Sequence, residues 1–244
     1  DFKDYLKSAL VYPTFLVLVG GVSIIILLTF VLPKFSLIFS DMRQAIPTST
    51  KILLAISAAL KTYWPILLAA IGLAYGVLRR YVKTPAGSLT LDRLQLRFPL
   101  VGELIKKIEV ARFSRTLGTL AQSGVPILQA LNLVKGIIGN QVIAGRLGSV
   151  SNRVKEGEKL SRPLAEIDMF PALAIQMITV GEETGRLGEM LLRVAENYEK
   201  AARDTVRRLV SLLEPAMILG MGIVVGFIVI SMMMAIFSMN EMPF

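Results

Sequence analysis

Residues 215–237 read PAMILGMGIVVGFIVISMMMAIF, a stretch of 23 residues that contains no charged side chain. A helix rises 1.5 Å per residue, so a helix of this length crosses a hydrocarbon core of about 30 Å. An apolar run this long is rare in the core of a soluble domain. The stretch therefore predicts a membrane-spanning helix, with Pro215 at its start.

Two further apolar runs lie nearer the N-terminus. Residues 14–32, TFLVLVGGVSIIILLTFVL, carry no charge and are long enough to span. Residues 64–80 are a weaker candidate, because the run ends at Arg79-Arg80, whose aliphatic stems can snorkel to the interface. Residues 52–60 are too short to cross and predict an interfacial helix that leads into the second span.

Lysine and arginine are unevenly distributed between these runs. Residues 79–214 hold 21 of the 27 Lys and Arg residues, whereas 33–63 hold four and 238–244 none. Because basic segments stay on the cytoplasmic side of a membrane, this predicts that 79–214 is cytoplasmic and that the other two segments face outward. The basic residues near the span ends agree with this orientation: Arg79, Arg80, Lys83, Arg207 and Arg208.

The large basic segment is predicted to be helical throughout. Apolar residues recur at helical spacing, and glycine and proline separate the candidate helices. The expected helices are 102–122, 127–138, 142–155, 161–164, 171–180 and 187–214, with Gly124 and Gly157 as stops. The predicted fold class is all-α: an integral membrane protein with three transmembrane helices and a cytoplasmic bundle of about six helices. Pro215 is expected to kink or restart the last helix at the membrane surface.

These elements predict seven segments in chain order. They are 1–13, the end of an N-terminal cytoplasmic helix; 14–32, transmembrane helix 1; 33–63, a periplasmic loop with an interfacial helix; 64–80, transmembrane helix 2; 81–214, the cytoplasmic helical domain; 215–237, transmembrane helix 3; and 238–244, a periplasmic tail. The chain opens on Asp1 without a leader-like pattern, which predicts that an N-terminal portion precedes it.

The amino-acid composition disfavours a catalytic function. The chain has no histidine and no cysteine, which removes histidine-based nucleophilic catalysis and the usual zinc and disulfide chemistry. It also lacks a phosphate-binding loop. Glu182 and Glu183 point about 100° apart on a helix and cannot flank one bond. We expect no catalytic, cofactor-binding or metal-binding residues and no cofactor.

Several residues are instead candidates for contacts between proteins or helices. The predicted partner contacts are charged residues at a turn and on one long helix: Glu182, Glu183, Arg186, Arg112, Arg115, Lys106 and Lys107. The carboxylates at the turn are also expected to stabilise the start of the following helix. Gly222 and Gly226 form a small-xxx-small pair that favours helix packing in lipid, and Pro215 is a third candidate for helix packing. The net charge of +9 fits an acidic partner or anionic lipid, and nucleic-acid binding is disfavoured because no aromatic-basic platform is present.

Short motifs along nearly the whole chain resemble the inner-membrane platform family of type II secretion and type IV pilus machines, the PilC/GspF family. The matching segments are, in order, Lys7–Pro13, Leu32-Pro33, Pro47-Thr48, Lys51–Leu60, Phe98–Gly102, Ala111–Leu120, Ser123–Pro126, Phe170-Pro171, Gly181–Gly185 with Leu187, and Glu214-Pro215. That family carries two copies of the helical cytoplasmic domain, and the resemblance implies that only the second is present here.

The resemblance implies a non-enzymatic, homo-oligomeric scaffold in the bacterial inner membrane. Its implied partners are a cytoplasmic assembly ATPase, pilins or pseudopilins, other inner-membrane assembly proteins and the lipid bilayer. A small membrane transporter or channel subunit is the alternative, although the spans offer few polar residues for a path. A membrane-bound enzyme is a third hypothesis, which the residue inventory disfavours.

Overall fold

The computed structural model describes residues 2–34 and 48–240, and within them the chain is helical without a β-strand. The helices, in chain order, are α1 (Phe2–Ile26), followed by a π-helical turn (Leu27–Val31), α2 (Thr48–Val82), α3 (Pro85–Arg97), α4 (Pro99–Gln122), α5 (Ile127–Ile137), α6 (Gln141–Lys155), α7 (Ser161–Ala165), α8 (Ala172–Glu183) and α9 (Leu187–Asn240). The predicted all-α class is confirmed.

Local sequence signals set most of these boundaries. Gly124 and Gly157, the predicted stops of α4 and α6, adopt φ angles of +78° and +96°. Only glycine enters this left-handed region without a steric cost, so each residue ends its helix. Proline stands at the first position of α3 and α4, where its missing N–H costs nothing.

Three helices are long and apolar enough to cross a membrane, as predicted. The three candidate spans are Asp4–Lys34, which includes the π-helical turn, Thr48–Val82 and Leu187–Met234. The chain divides into two compact units, one made of residues 3–77 and 208–244 and the other of residues 78–207. The first unit holds most of these apolar segments, and the second holds α3 to α8 together with the first part of α9.

The helices run further than the sequence patterns indicated. The predicted interfacial helix 52–60 and the second span 64–80 are one continuous helix, α2, which passes through Pro65. The helix does not restart at Pro215, since α9 continues through it to Asn240, and the predicted alternative of a kink there stays a prediction. Proline removes one hydrogen bond from a helix, and neighbouring turns absorb that loss in long apolar helices. Likewise α1 starts at Phe2 and passes through Pro13.

Some predicted segments fall partly outside the described residues. Residues 35–47 of the predicted loop and 241–244 of the predicted tail lie there. The remaining residues of the predicted tail, 238–240, belong to α9.

Within the first unit, a small apolar cluster and several small and polar residues pack the three helices together. Gly20 of α1 lies against Met221 of α9, where an added Cβ would stand 2.2 Å from the Met221 sulfur. The Ser57 hydroxyl of α2 donates to the Leu28 carbonyl in the π-helical turn at 2.6 Å. The Thr50 hydroxyl donates to the Ser231 carbonyl at 3.0 Å. The Ile52–Leu60 region thus belongs to a stretch of α2 that binds both other helices.

Within the second unit, a hydrophobic core lies between α4, α5, α6, α8 and the start of α9. The rings of Phe113 and Phe170 meet edge-to-face at its centre, with centroids 5.1 Å apart. An added Cβ on Gly118 of α4 would stand 3.0 Å from the carbonyl oxygen of Gly188 in α9, so these two helices approach very closely. Because Lys107 contacts Thr205 and Arg115 contacts Glu199, α4 and α9 run antiparallel.

Candidate partner-contact surface

The four predicted cations of α4 all bind acceptors within the second unit. The Lys106 ammonium lies 3.1 Å from the Asp168 carboxylate. Arg112 pairs with Glu109 at 3.1 Å. These groups are therefore not free charges, and a partner protein would have to compete with an internal carboxylate for each of them.

Lys107 and Arg115 connect α4 to α9. The Lys107 ammonium lies 2.6 Å from the Glu103 carboxylate and donates to the Thr205 hydroxyl at 2.9 Å. The Arg115 Nε donates to the Glu199 carboxylate at 2.9 Å. That hydrogen bond is the main cause of a raised pKa of Arg115. Both side chains therefore stabilise the pairing of two helices, and their predicted contacts with a partner stay a prediction.

The acidic pair at the end of α8 has two different environments. The half-buried Glu182 carboxylate accepts hydrogen bonds from the backbone N–H groups of Leu160 and Ser161, the second at 3.0 Å. These N–H groups belong to the start of α7, 21 or 22 residues earlier in the chain. The sequence predicted that the carboxylates of this turn stabilise the following helix; Glu182 instead binds the start of an earlier one.

Glu183 and Arg186 lie on the surface next to this turn. The Glu183 carboxylate is 3.6 Å from the Lys159 ammonium, and both side chains are about three-fifths exposed, at 59% and 63%. Arg186 pairs with Glu189 at 2.7 Å and is itself 67% exposed. Exposed ion pairs of this kind contribute little to folding, so both residues are available to a partner at low cost.

The turn itself depends on a close approach of helices. An added Cβ on Gly181 would stand 3.0 Å from the Leu187 Cα and 2.9 Å from the Met190 Cβ. The Arg186 N–H donates to the Gly181 carbonyl at 2.9 Å, and Gly185 has a φ of +70°. The Gly181–Gly185 motif therefore forms a tight α8–α9 connection that presents Glu183 and Arg186 outward.

One group that the sequence analysis missed is the buried carboxylate of Glu109 on α4, which is only 5% exposed. The Gly139 N–H donates to its two oxygens at 3.2 and 3.3 Å. Burial raises the pKa of Glu109, and the negative charge of Asp92 adds to this; Arg112 and the N–H groups of Gly139 and Asn140 oppose it. Its helical spacing with Phe113 and Leu117 was the available signal, because that row is the core face of α4.

Asp92 holds the same turn from α3. Its carboxylate accepts the Gln141 N–H at 2.8 Å, while the Asn140 side chain caps α6 by accepting from Val142 and Ile143. Two carboxylates from different helices therefore bind successive backbone N–H groups at the start of α6. The arrangement is structural, since all these donors belong to one loop and helix end.

The predicted helix-packing glycines of α9 make no packing contact within the described chain. An added Cβ on Gly222 or Gly226 would meet nothing within 4 Å among the residues that the structure places. Gly20 makes the close approach instead, against Met221. Packing of Gly222 and Gly226 against another chain stays a prediction, and Pro215 lies inside α9.

Comparison with known proteins confirms the family resemblance. The family described as "Type II secretion system (T2SS), protein F" matches residues 113–235. The type IV pilus assembly protein PilC of Thermus thermophilus is 38% identical over 241 residues, covering 98% of this chain and 59% of the relative. The type II secretion system protein F of Xanthomonas campestris pv. campestris is 34% identical over 239 residues, with 98% and 59% covered.

The type II secretion system protein F of Pseudomonas aeruginosa is 34% identical over 241 residues, with the same coverage of 98% and 59%. The chain thus spans about three-fifths of the length of the curated relatives it matches. Relatives named for pilus assembly and relatives named for secretion resemble it to a similar degree.

Proposed function

We propose, because the chain belongs to the family of type II secretion system protein F, that it is a non-enzymatic platform of a pilus or secretion machine in the bacterial inner membrane. The observation that carries the proposal is that 98% of the chain aligns with proteins named for pilus assembly and for type II secretion alike. A role shared by both machines fits this better than a role specific to one of them.

In this role the second unit couples a cytoplasmic assembly ATPase to pilins or pseudopilins in the membrane. Support comes from its position in the chain, between the second and third membrane-crossing helices, and from its excess of basic residues. α9 continues without interruption from Leu187 to Asn240. One helix therefore joins the proposed partner-binding surface near its start to the apolar stretch in its second half. A continuous helix is a stiff element that can transmit a displacement along its axis.

Glu183 and Arg186 are the residues through which we expect the ATPase or another assembly protein to bind. Both are exposed, and both are positioned by a rigid turn at the start of that helix. Rim charges of this kind set the rate and specificity of association more than its final strength. Lys106, Lys107, Arg112 and Arg115 are weaker candidates, because each already binds an internal acceptor.

The transporter alternative has less support from the same residues. A polar path through the spans would need ionisable side chains, as intramembrane transport sites have, and residues 14–32 and 215–237 contain none. The Ser23 and Thr29 hydroxyls instead donate to carbonyls one turn back in their own helix, at 2.9 and 2.7 Å. The Ser57 and Thr50 hydroxyls bind neighbouring helices.

A deletion strain tests the proposal. We expect loss of surface pili or of secreted substrate, with ATP hydrolysis by the isolated assembly ATPase unchanged. The purified full-length protein is expected to be recovered together with the ATPase and with pilins or pseudopilins. Normal pili and normal secretion in the deletion strain would contradict the proposal.

A reporter fused at Gly139 tests the orientation separately. We expect a cytoplasmic reporter signal, because the basic segment is predicted to remain inside the cell. An exported reporter would overturn the orientation even where the deletion phenotype is as expected.

A further inference from the structure

The corner where α3 meets α4 exposes an unusual amount of apolar surface for a domain outside the membrane. Leu94, Phe98 and Leu100 are 52%, 57% and 58% exposed, and the adjacent Val101 is also exposed. Single exposed apolar residues are common, but a cluster of large ones indicates an interaction site. Gly102 fixes the corner, because an added Cβ there would stand 2.5 Å from the Leu96 carbonyl oxygen.

Arg93 and Arg97 of α3 lie next to this apolar cluster along the chain, and both line a groove with a third arginine. Arg93 and Arg97 of α3 and Arg146 of α6 line one open groove of about 590 Å³, together with Leu96, Val142 and Gly145. None of the three has an ion-pair partner among the residues that the structure describes, unlike the cations of α4. The groove therefore offers three planar cationic donors, which is the chemistry that binds phosphate oxygens.

The arginines lie beside the apolar residues on the helix. In an α-helix successive residues are about 100° apart, so Leu94 and Phe98 flank the Arg93–Arg97 row on the side away from Leu96. An apolar strip next to a row of basic side chains is the pattern of a helix that lies at a membrane surface.

The chain also connects this corner, through α3, to the end of a membrane-crossing helix. α2 ends with Arg79, Arg80 and an exposed Tyr81, the residue types that mark the edge of a span. Only Lys83 and Thr84 separate α2 from α3. The Thr84 N–H donates to the Tyr81 carbonyl at 3.0 Å, and the Gly87 N–H donates to the Thr84 hydroxyl at 3.1 Å.

This connection is tight and belongs to one compact unit. An added Cβ on Gly87 would stand 2.0 Å from the Tyr81 carbonyl oxygen, so the start of α3 packs directly on the last turn of α2. Residues 78–82 lie in the same unit as α3, and α3 is 13 residues long. Its whole length is about 20 Å, so all of α3 lies within about 20 Å of the end of the span.

We propose that the α3–α4 corner binds the anionic lipid surface. Leu94, Phe98 and Leu100 enter the boundary between headgroups and acyl chains, while Arg93, Arg97 and Arg146 bind lipid phosphates. The lipid surface is the occupant because the corner is continuous with a membrane-crossing helix and combines apolar and cationic groups. The proposal rests on α2 crossing the bilayer and is independent of any ATPase or pilin.

Labelling at single cysteines tests the proposal, since the chain has no native cysteine. The Leu94→Cys variant of the full chain is labelled with a fluorophore and reconstituted into vesicles that contain brominated lipids. These lipids quench a fluorophore that enters the bilayer. Leu173→Cys on α8 is the matched control, because Leu173 is 55% exposed and far in sequence from the spans. Both leaflets have the same composition, so the result does not depend on which way the protein inserts.

In vesicles with anionic lipid we expect strong quenching at position 94 and little at position 173. Each arginine near an anionic surface shifts the bound population by roughly fivefold, so zwitterionic lipid should weaken quenching at position 94 several-fold. The double substitution Arg93→Gln and Arg97→Gln should do the same in anionic vesicles.

Equal quenching at positions 94 and 173 would overturn the proposal, as would equal quenching at position 94 in anionic and zwitterionic vesicles. Iodide in the aqueous phase quenches a fluorophore that is exposed to water. If iodide quenches the fluorophore at position 94 and an added soluble protein reduces that quenching, the corner is a protein-binding site and the proposal is wrong. These readouts use no ATPase, so they separate this inference from the proposed coupling role.

Discussion

The Glu182 carboxylate at the end of α8 accepts a hydrogen bond from the Ser161 N–H at the start of α7, across 3.0 Å. The carboxylate of Glu183, the next residue, lies 3.6 Å from the exposed Lys159 ammonium. Two adjacent acidic residues thus have separable roles. Glu182 fixes a short helix, and Glu183 is free to meet a partner.

Substitution of Glu182 by alanine should therefore reduce stability. It leaves the N–H groups of Leu160 and Ser161 without their carboxylate acceptor, at a cost of about 1–3 kcal/mol. Glu183→Ala is the control and should change stability by less than about 0.5 kcal/mol. Thermal unfolding of the two purified variants measures the difference, and equal midpoints would contradict the assignment.

Reversing the exposed charges should impair assembly without unfolding the protein. We expect Glu183→Lys together with Arg186→Glu to reduce pilus number or secretion, because the surface that we propose for partner binding is altered. The stability of this double variant should stay near that of the unmodified chain. A folded variant with full assembly activity would remove these residues from the partner surface.

Gly118 should tolerate no side chain. An added Cβ would lie 3.0 Å from both the Gly188 carbonyl oxygen and the Leu191 Cβ, so Gly118→Ala forces α4 and α9 apart. Overpacking of this kind costs about 1–3 kcal/mol. Gly145→Ala in α6 is the matched control, because nothing lies within 4 Å of the added Cβ and alanine favours the helix by about 1 kcal/mol. Opposite shifts in the unfolding midpoint are expected, and a stable Gly118→Ala variant would show that the helices can separate.

Local signals were sufficient for the helices, but not for the contacts between them. Gly124 and Gly157 act within one turn of the chain, so the sequence predicted the ends of α4 and α6 well. The sequence did not predict α3, and it placed the start of α4 at residue 102 rather than at Pro99. Pro215 failed as a boundary because a long apolar helix tolerates the missing hydrogen bond. A rule based on proline alone does not take into account the stability of the helical segments on both sides of it.

The contacts of the acidic residues depend on tertiary structure. The acceptor role of Glu182 involves N–H groups more than 20 residues earlier, which no local pattern reveals. Glu109 was more accessible to prediction, since it lies on the apolar row of α4 with Phe113. The missing information was that the start of α6 supplies N–H donors there.

The membrane helices offer a direct comparison between neighbouring glycines. Gly20→Ile should weaken the packing of α1 on α9, because its side chain displaces Met221, at a cost of about 1–3 kcal/mol. Gly21→Ile meets nothing within 4 Å at its Cβ and is the control. Adding Met221→Ala to Gly20→Ile should restore part of the loss. Thermal stability in detergent reports the series, and identical effects at Gly20 and Gly21 would contradict the packing.

Glu109 should make the stability of the second unit depend on pH in an uncommon direction. Burial raises the pKa of Glu109 from its ordinary value of 4.5, and Asp92 adds to the shift while Arg112 opposes it. A carboxyl group with a raised pKa in the folded state binds its proton more tightly when folded than when unfolded. Its contribution to stability is therefore complete below the unfolded pKa and is lost as the pH rises through the folded pKa.

The difference in unfolding midpoint between the unmodified chain and Glu109→Gln isolates this contribution. Other titrating groups are common to both proteins, so their effects cancel. We expect the unmodified chain to be most favoured over Glu109→Gln at about pH 4 and progressively less favoured towards neutral pH. Glu156→Gln, at an exposed position in the same unit, controls for the loss of a carboxylate. If the unmodified chain instead gains on Glu109→Gln as the pH rises, then Arg112 and the Gly139 N–H outweigh burial, and the pKa of Glu109 is lowered.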